Sequence, residues 1–313
     1  MSRSILSFEN YLEFRNKSPR TIEEYGYDLR MFKRYLKNAF GIDSVTNISD
    51  LDDTMVEGFL LYLKNEKRNQ RGEHLSPVTI NRKYFALRSF FDFLIKRRLY
   101  EGENPMRLIE ALTTVTVSTH TYLSISQARV LLDNIETRYP ERDKLMIGLM
   151  LLLGLRVSEV ANLNVPDINF YNDILYVHGK GNKERVVPIS PQIKQDILDY
   201  LKYREEKFGD IPNNALFLSR NKRRISVRRI QMIFDQLVDS LGFNEGKEHE
   251  PSRKKITCHK LRHTFGTLSA QEGVDILTLK DLLGHTSINT TQIYAKAADK
   301  QMRDAVNSNP VYK

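Results

Sequence analysis

Apolar residues recur every three or four positions through the first hundred residues, a spacing that predicts amphipathic helices. In the clearest stretch, Ile22, Leu29 and Phe32 share one face of a helix that follows Ser18-Pro19. Serine is a favoured N-cap and proline a favoured first helical residue, so this pair marks a helix start. Two further helices are expected, at residues 54–63 and, after Ser76-Pro77, at residues 78–98.

A change of pattern near residue 105 divides the chain. Asn104-Pro105 ends the helical unit, and residues 111–121 (ALTTVTVSTHT) are rich in threonine and lack helical periodicity. Such a stretch is typical of an extended linker. We therefore predict a helical domain at residues 1–110, a linker at 111–121 and a second domain at 122–313.

The second domain mixes helices with a short alternating segment. Ser124 can cap a helix to about residue 135, and the apolar run at 145–155 is typical of a buried helix. Residues 173–178 and 184–189 alternate like strands around the turn at 179–183, which predicts a hairpin. More helices are expected at residues 158–163, 191–208 and 226–241. The fold class predicted is mainly α with a small β-hairpin or sheet.

Charge narrows the class of partner. The chain of 313 residues has 48 Lys and Arg against 39 Asp and Glu, for a net charge of +9. A basic balance of this size favours a polyanion such as nucleic acid, although solvated basic helices would give the same numbers. Basic residues expected on the outer face of the helix at 78–98, and just before or within the helix at 226–241, are candidates for phosphate contacts. They are Arg82, Lys83, Arg88, Arg223, Arg224 and Arg228.

Cysteine content and hydropathy argue against disulfide-bonded proteins, four-cysteine zinc proteins and membrane-spanning proteins. The one cysteine, Cys258, rules out a disulfide within the chain and a four-cysteine zinc site. The start of the chain lacks an apolar signal core, and the run at 145–155 is too short to span a bilayer. We expect a soluble, cytoplasmic protein.

The richest stretch for chemistry is residues 258–294. His259 and Arg262 are three positions apart, so they lie on one helical face, and His285 and Tyr294 follow. Gly284-His285 is typical of a helix end. Upstream, Arg156 follows the buried helix, where an unpaired guanidinium would be costly, and Lys180 lies on the hairpin turn.

Each of these residues has a simpler interpretation. Arg156 can pair with Glu159, Lys180 can solvate a turn, and Tyr294 can be a core aromatic residue. His259 and His263 are four apart, which is a spacing of metal ligands, but the glutamate of a HExxH motif is missing. The glycine-containing turn at 179–183 does not match the GxxxxGK[ST] phosphate-binding loop.

Four motifs in this order resemble the tyrosine recombinase family, and most closely its Xer-type, two-domain branch. They are GLRVSEV at 154–160, VHGKGNKERVVPI at 177–189, HKLRHTFGT at 259–267 and LLGHTSINTTQIY at 282–294. The resemblance covers essentially the whole chain. It implies an N-terminal helical core-binding domain and a C-terminal catalytic domain.

The resemblance also implies a role for each catalytic residue. Tyr294 would attack the scissile phosphorus and form a 3′-phosphotyrosyl link, while Arg156 and Arg262 hold the non-bridging oxygens. Lys180 would protonate the leaving 5′-oxygen. His259 would assist proton transfer, and His285 would hydrogen-bond the phosphate. The family uses neither metal nor nucleotide, so no cofactor is expected.

Family likeness further implies a partner and an assembly. The partner would be a duplex DNA core site bound by a clamp of two domains, with recombination by a homo-tetramer or by a hetero-tetramer with a related recombinase. The tail at 295–313 includes an amphipathic segment that would dock on a neighbouring protomer. No arm-binding domain is expected ahead of Phe8, which favours simple core sites.

Three functions remain open at this point. Site-specific recombination, in dimer resolution or mobile-element integration, is the main hypothesis. A type IB topoisomerase-like enzyme would use the same nicking and rejoining chemistry on one DNA molecule. A DNA-binding regulator could keep the scaffold without catalysis, but the complete set of six catalytic residue types argues against it.

Overall fold

The computed structural model describes residues 1–42, 51–70, 72–113, 121–179, 184–209, 211, 213–246 and 255–284. Contacts divide the chain into two units, Met1–Val117 and Ser118–Lys313. The predicted fold class is confirmed, because the described residues are mostly helical with one small sheet. The predicted domain boundaries stay a prediction.

Four helices form the first unit: α1 (Ser2–Phe14), α2 (Pro19–Phe40), α3 (Asp53–Asn65) and α4 (Pro77–Lys96). The predicted caps are confirmed, since the Ser18 and Ser76 hydroxyls accept hydrogen bonds from the Thr21 and Thr79 backbone amides. Each bond satisfies one of the N–H groups that a helix start leaves without a partner. Aromatic rings dominate the core between the helices, with Phe8, Phe32, Phe59, Phe90 and Phe91 fully buried.

Two polar side chains join α2 and α4 inside this core. The Lys83 ammonium lies 2.5 Å from the Asp28 carboxylate, and both residues are buried. The expectation that Lys83 lies on the outside of α4 is therefore wrong. Lys83 is three residues after Ile80 and four before Leu87, so it belongs to the buried stripe of the helix. Its long side chain needs a carboxylate there, and Asp28 supplies it.

The chain after α4 stays attached to that helix. A short 3₁₀ turn at Pro105–Arg107 follows, and the Tyr84 hydroxyl donates to the Met106 and Ile109 carbonyls. Asn81 pairs with both backbone groups of Leu112. The start of the predicted linker is thus held against the first unit, and residues 114–120 lie outside the described ranges.

Seven helices are described in the second unit, with a three-stranded antiparallel sheet in the order β1-β2-β3. The strands β2 (Ile174–His178) and β3 (Glu184–Pro188) confirm the predicted hairpin, and β1 (Ile168–Asn169) adds an edge of two residues that the pattern did not indicate. The helices are α5 (Ile125–Asp133), α6 (Pro140–Leu152), α7 (Val157–Asn162), α8 (Pro191–Phe208), α9 (Val227–Ser240), α10 (Cys258–Gln271) and α11 (Ile276–Leu283).

Helix α6 lies at the centre of this unit and packs against α8 and α10. It begins five residues before the apolar run at 145–155 and ends at Leu152, because Gly154 adopts a left-handed backbone with φ 64°. A side chain at Gly154 would also collide with Phe265 and Leu283. The apolar residues after Leu152 therefore form a tight turn. This turn places Arg156 at the start of α7.

None of the helices in the described ranges combines the length and the apolar character that crossing a bilayer requires.

The buried pair in the first unit makes a testable prediction. Replacing Asp28 by Ala leaves the Lys83 ammonium buried without its carboxylate, so we expect the local stability of α2 and α4 to fall by about 3–5 kcal/mol. Hydrogen exchange of peptides from these helices in the full chain measures this loss. The double variant D28L/K83M should recover most of it.

The matched control is Arg20→Ala, which breaks an ion pair with Glu24 in which the arginine side chain is 86% exposed. Its cost should stay below about 1 kcal/mol. Equal losses in Asp28→Ala and Arg20→Ala would show that the Asp28–Lys83 pair does not stabilise the core.

Candidate active site

Arg156 occupies the N-cap position of α7, directly after the Gly154 turn. Its backbone amide donates to Glu159 Oε2 at 2.8 Å, and its guanidinium Nη1 donates to Glu159 Oε1 at 2.6 Å. The alternative that Arg156 pairs with Glu159 is therefore confirmed. The pairing does not use all of the guanidinium donors, because the Arg156 side chain remains 36% exposed.

Glu159 is a shared anion for three arginines. Its side chain is only 3% exposed, and Arg185 approaches with a fork of two hydrogen bonds, each 2.9 Å long. Arg262 lies 3.9 Å away on the same carboxylate. Burial opposes ionisation of Glu159, but the hydrogen bonds and charge of Arg185, followed by those of Arg156, outweigh it and lower its pKa. Glu159 is thus an anion that the surrounding cations keep charged.

Arg262 projects from the first turns of α10 and is almost fully buried. Its Nη1 donates to the Gly154 carbonyl at 2.7 Å, and its Nη2 donates to the Leu283 carbonyl. The Gly154 turn and the end of α11 are therefore held together by one side chain. A guanidinium is suited to this because its donors form a rigid planar fork.

The C-terminal end of α11 attracts all three arginines. Its last carbonyls have no partner within the helix and carry the negative end of the helix dipole. Arg185 Nε donates to the Leu282 carbonyl at 2.8 Å, and Arg156 Nη2 lies 3.5 Å from the Gly284 carbonyl. Gly284 ends the helix in a left-handed conformation with φ 63°, which confirms the predicted helix end.

His259 lies on the first turn of α10 with its ring in contact with solvent. Partial burial, followed by the positive charges of Arg262, Arg156 and Lys260, lowers its pKa. A lowered pKa keeps the imidazole neutral at physiological pH, so it can accept a proton. Arg156, which is more than 100 residues upstream, is thus brought into one electrostatic environment with His259 and Arg262.

Three of the six predicted catalytic residues, Lys180, His285 and Tyr294, lie outside the described residues. Their neighbours in the chain are described: β2 ends at His178, two residues before Lys180, and α11 is closed by Gly284, directly before His285. The roles assigned to these three residues stay predictions.

Apart from the buried Lys83, the candidate DNA contacts fall into two groups. Arg88, Arg223 and Arg228 are exposed. Arg82 pairs with Glu24 and Asp28, and Arg224, although exposed, donates to the Ala161 and Leu163 carbonyls, so both help to hold the fold. Within the part of the chain that the structure describes, no group of three or more His, Cys, Asp or Glu residues is arranged to hold a metal ion.

Sequence reasoning missed Arg185. The residue stands inside the motif at 177–189, but nothing in its local pattern shows that its side chain turns towards α7 and α11. Its partners are 26 and 97 residues away in the chain. Glu159 was considered only as a partner of Arg156.

Comparisons with known proteins found matches over most of the chain. The phage integrase family matches residues 121–301, and the phage integrase N-terminal SAM-like domain matches residues 5–98. The tyrosine recombinase XerC of Caldanaerobacter subterraneus subsp. tengcongensis is 37% identical over 97% of this chain and 86% of its own length. The tyrosine recombinase XerC of Chlamydia trachomatis serovar L2 is 31% identical over 96% of this chain and 95% of its own.

Solved structures share the fold at lower identity. The Tn1549 transposon integrase in complex with transposon right end DNA is 20% identical, with a TM-score of 0.73 over 97% of this chain and 99% of that one. The XerH site-specific recombinase bound to its palindromic difH substrate is 22% identical, with a TM-score of 0.71 over 94% of this chain and 81% of that one.

The electrostatics of His259 make a prediction for the free protein. Its imidazole should titrate with a midpoint below the ordinary value of about 6.5, because partial burial and the nearby cations disfavour the charged ring. NMR titration, with the resonance assigned from a His259→Gln spectrum, measures the midpoint. Replacing Arg262 by Met removes one of the cations and should raise it. A midpoint at or above the ordinary value would contradict this description of the site.

Proposed function

The chain belongs to the phage integrase family, and we propose that it is a site-specific DNA recombinase that cleaves and rejoins strands through a 3′-phosphotyrosyl intermediate. The observation that carries the proposal is the meeting of Arg156 and Arg262 at Glu159, with His259 within the field of both arginines. These residues stand in the motifs by which the chain resembles tyrosine recombinases. The two XerC relatives, which match over almost the whole chain, support the same activity.

The net charge of the cluster formed by Glu159 and its three arginines suits phosphoryl transfer. Three guanidinium groups and one carboxylate leave two positive charges. A phosphodiester carries one negative charge, and attack by an oxyanion adds a second in the transition state. Fixed donors in a partly buried site stabilise such developing charge better than water, because they need no reorientation. Charge-assisted bonds to phosphate are also stronger than bonds to neutral carbonyls, which are the partners of Arg262 in the free protein.

The covalent step is the one that the resemblance to tyrosine recombinases implies. The Tyr294 oxygen forms a bond to phosphorus, the bond from phosphorus to the 5′-oxygen breaks, and Lys180 gives that oxygen a proton. Neutral His259 assists removal of the phenol proton, which is needed because a tyrosine hydroxyl has an ordinary pKa of about 10. His285 donates to a phosphate oxygen. The phosphotyrosyl ester keeps the bond energy, so rejoining needs no nucleotide.

We further propose duplex DNA core sites as the substrate and a tetramer as the active assembly, built from this chain alone or with a related recombinase. The XerH and Tn1549 proteins were solved with DNA, and a lambda integrase fragment was solved as a dimer bound to a core site. The exposed Arg88, Arg223 and Arg228 are proposed to contact phosphates, which would make affinity dependent on salt.

Xer-type dimer resolution is favoured over mobile-element integration because the curated relatives are named XerC. The same names favour recombination over a topoisomerase-like or purely regulatory role.

The covalent intermediate is directly testable. A nicked suicide duplex that carries the cognate core site should trap a protein–DNA adduct that resists denaturant. Tyr294→Phe should abolish the adduct because it removes the nucleophilic oxygen, while DNA binding persists. The adduct should form equally well in excess EDTA. An adduct that survives Tyr294→Phe, or one that EDTA abolishes, would overturn the mechanism.

The two arginines should act on the rate of cleavage and not on affinity. Removal of one transition-state donor typically costs about 3 kcal/mol or more, so Arg156→Ala and Arg262→Ala should each slow single-turnover cleavage by roughly 100-fold or more. Gel-shift affinity should change little. The contrasting variant Arg88→Ala should weaken binding and its salt dependence, with normal cleavage at saturation. Parallel losses of binding and cleavage in the Arg156 and Arg262 variants would contradict the clamp.

A further inference from the structure

Arg185 leaves its own hairpin to join two other segments. It lies on β3 opposite Val177, and its side chain is 11% exposed. Two of its nitrogens form the fork to Glu159 on α7, and the third donates to the Leu282 carbonyl at the end of α11. All three guanidinium nitrogens therefore have acceptors within the protein, so Arg185 is built to hold structure and not to bind substrate.

The contact with α11 is close. A methyl group added at Gly284 would lie 3.0 Å from Arg185 Cδ and 3.2 Å from its Nη1. These distances are shorter than ordinary van der Waals contact, so the Arg185 side chain fills the space beside the turn that closes α11. This turn directly precedes His285 in the chain. Arg185 thus fixes the last described residue before a proposed catalytic position.

The contact between Arg185 and Glu159 affects which guanidinium donors of Arg156 remain directed to solvent. Arg185 uses both oxygens of the carboxylate in its fork, while the Arg156 guanidinium donates to Oε1 through Nη1. Its side chain remains 36% exposed, and among the described residues its Nη2 has one long contact, of 3.5 Å, to the Gly284 carbonyl. Without Arg185, Glu159 would be free to turn and take a second donor from Arg156. That donor would then be lost to a substrate.

We propose that Arg185 is a positioning residue for strand cleavage. By holding Glu159 and the end of α11, it keeps the outer donors of Arg156 directed towards the scissile phosphate. The inference rests on the proposed recombinase function. It predicts that a change at Arg185 impairs the stabilisation of charge on the phosphate, although Arg185 does not touch the substrate.

The first measurement is single-turnover adduct formation on the suicide duplex at saturating protein. Arg185→Gln, which loses the charge and the fork, should slow adduct formation by roughly 10- to 100-fold, the effect expected of a displacement of about 1 Å in a catalytic group. Arg185→Lys keeps the charge but cannot form the fork, so its rate should be intermediate. DNA affinity should stay within about threefold of wild type, because no phosphate contact is removed.

Arg142→Gln is the matched control. Arg142 is more enclosed than Arg185, pairs with the Asp143 carboxylate and donates to the Leu218 carbonyl. It lies on the first turn of α6, about 15 Å along that helix from its end near the site. It should lower thermal stability as much as Arg185→Gln. Its cleavage rate, measured at a temperature where both variants are folded, should remain that of wild type.

A second substrate separates positioning from general damage. A methylphosphonate at the scissile position has no negative charge, so it depends less on the arginine donors. The decrease in the rate of adduct formation caused by Arg185→Gln should therefore be smaller on this substrate. Equal losses on both substrates, or equal losses in Arg142→Gln and Arg185→Gln, would overturn the inference. If wild type forms the adduct and Arg185→Gln matches its rate, only the inference fails; if wild type forms no adduct, the proposed function fails as well.

Discussion

The catalytic unit depends on one buried carboxylate. Removing Glu159 from water is costly, and the cost is offset only because Arg156, Arg185 and Arg262 surround it. These cations come from α7, β3 and α10, so a single charge requires three segments to lie at fixed positions. The end of α11 joins the same network through its carbonyls. The folded chain thus brings together more guanidinium groups here than one carboxylate can neutralise, and the proposed phosphate site would use this excess positive charge.

This arrangement explains how a cluster of buried arginines can exist in the protein without DNA. Unpaired buried arginines would repel one another and lose hydration. In the free protein, the carbonyls of Gly154, Leu283 and Gly284 supply weak acceptors, and Glu159 supplies a full charge. A phosphate is a better partner than a carbonyl, so the phosphate of the proposed substrate would replace the weaker contacts without rebuilding the site. Partial burial, followed by this positive field, lowers the pKa of His259.

The first unit uses a buried carboxylate for a different purpose. Asp28 holds Lys83 within an aromatic core and links α2 to α4, with Arg82 as a partly exposed third member. Here the two charges are paired inside the core, and Lys83 is not available to DNA. The exposed residue Arg88 on the same helix remains available. Basic residues on one helix therefore divide between structure and surface according to the face on which they lie.

The sequence by itself determined the local features of this protein. The serine caps, the helix end at Gly284 and the β2–β3 hairpin depend on neighbouring residues, and all of them are confirmed. The four motifs were also sufficient to identify the family, because the order of residue types along the chain carries that information.

Only the tertiary structure decided which charged groups meet. Lys83 turned inward because Asp28, 55 residues away, offered a carboxylate, and Arg185 became part of the site through partners 26 and 97 residues away. The end of α6 moved to Leu152 because Gly154 has to pass between Phe265 and Leu283. Periodicity reports which side of an element is buried. The choice of partner for a buried charge depends on distances that exist only after the elements have packed.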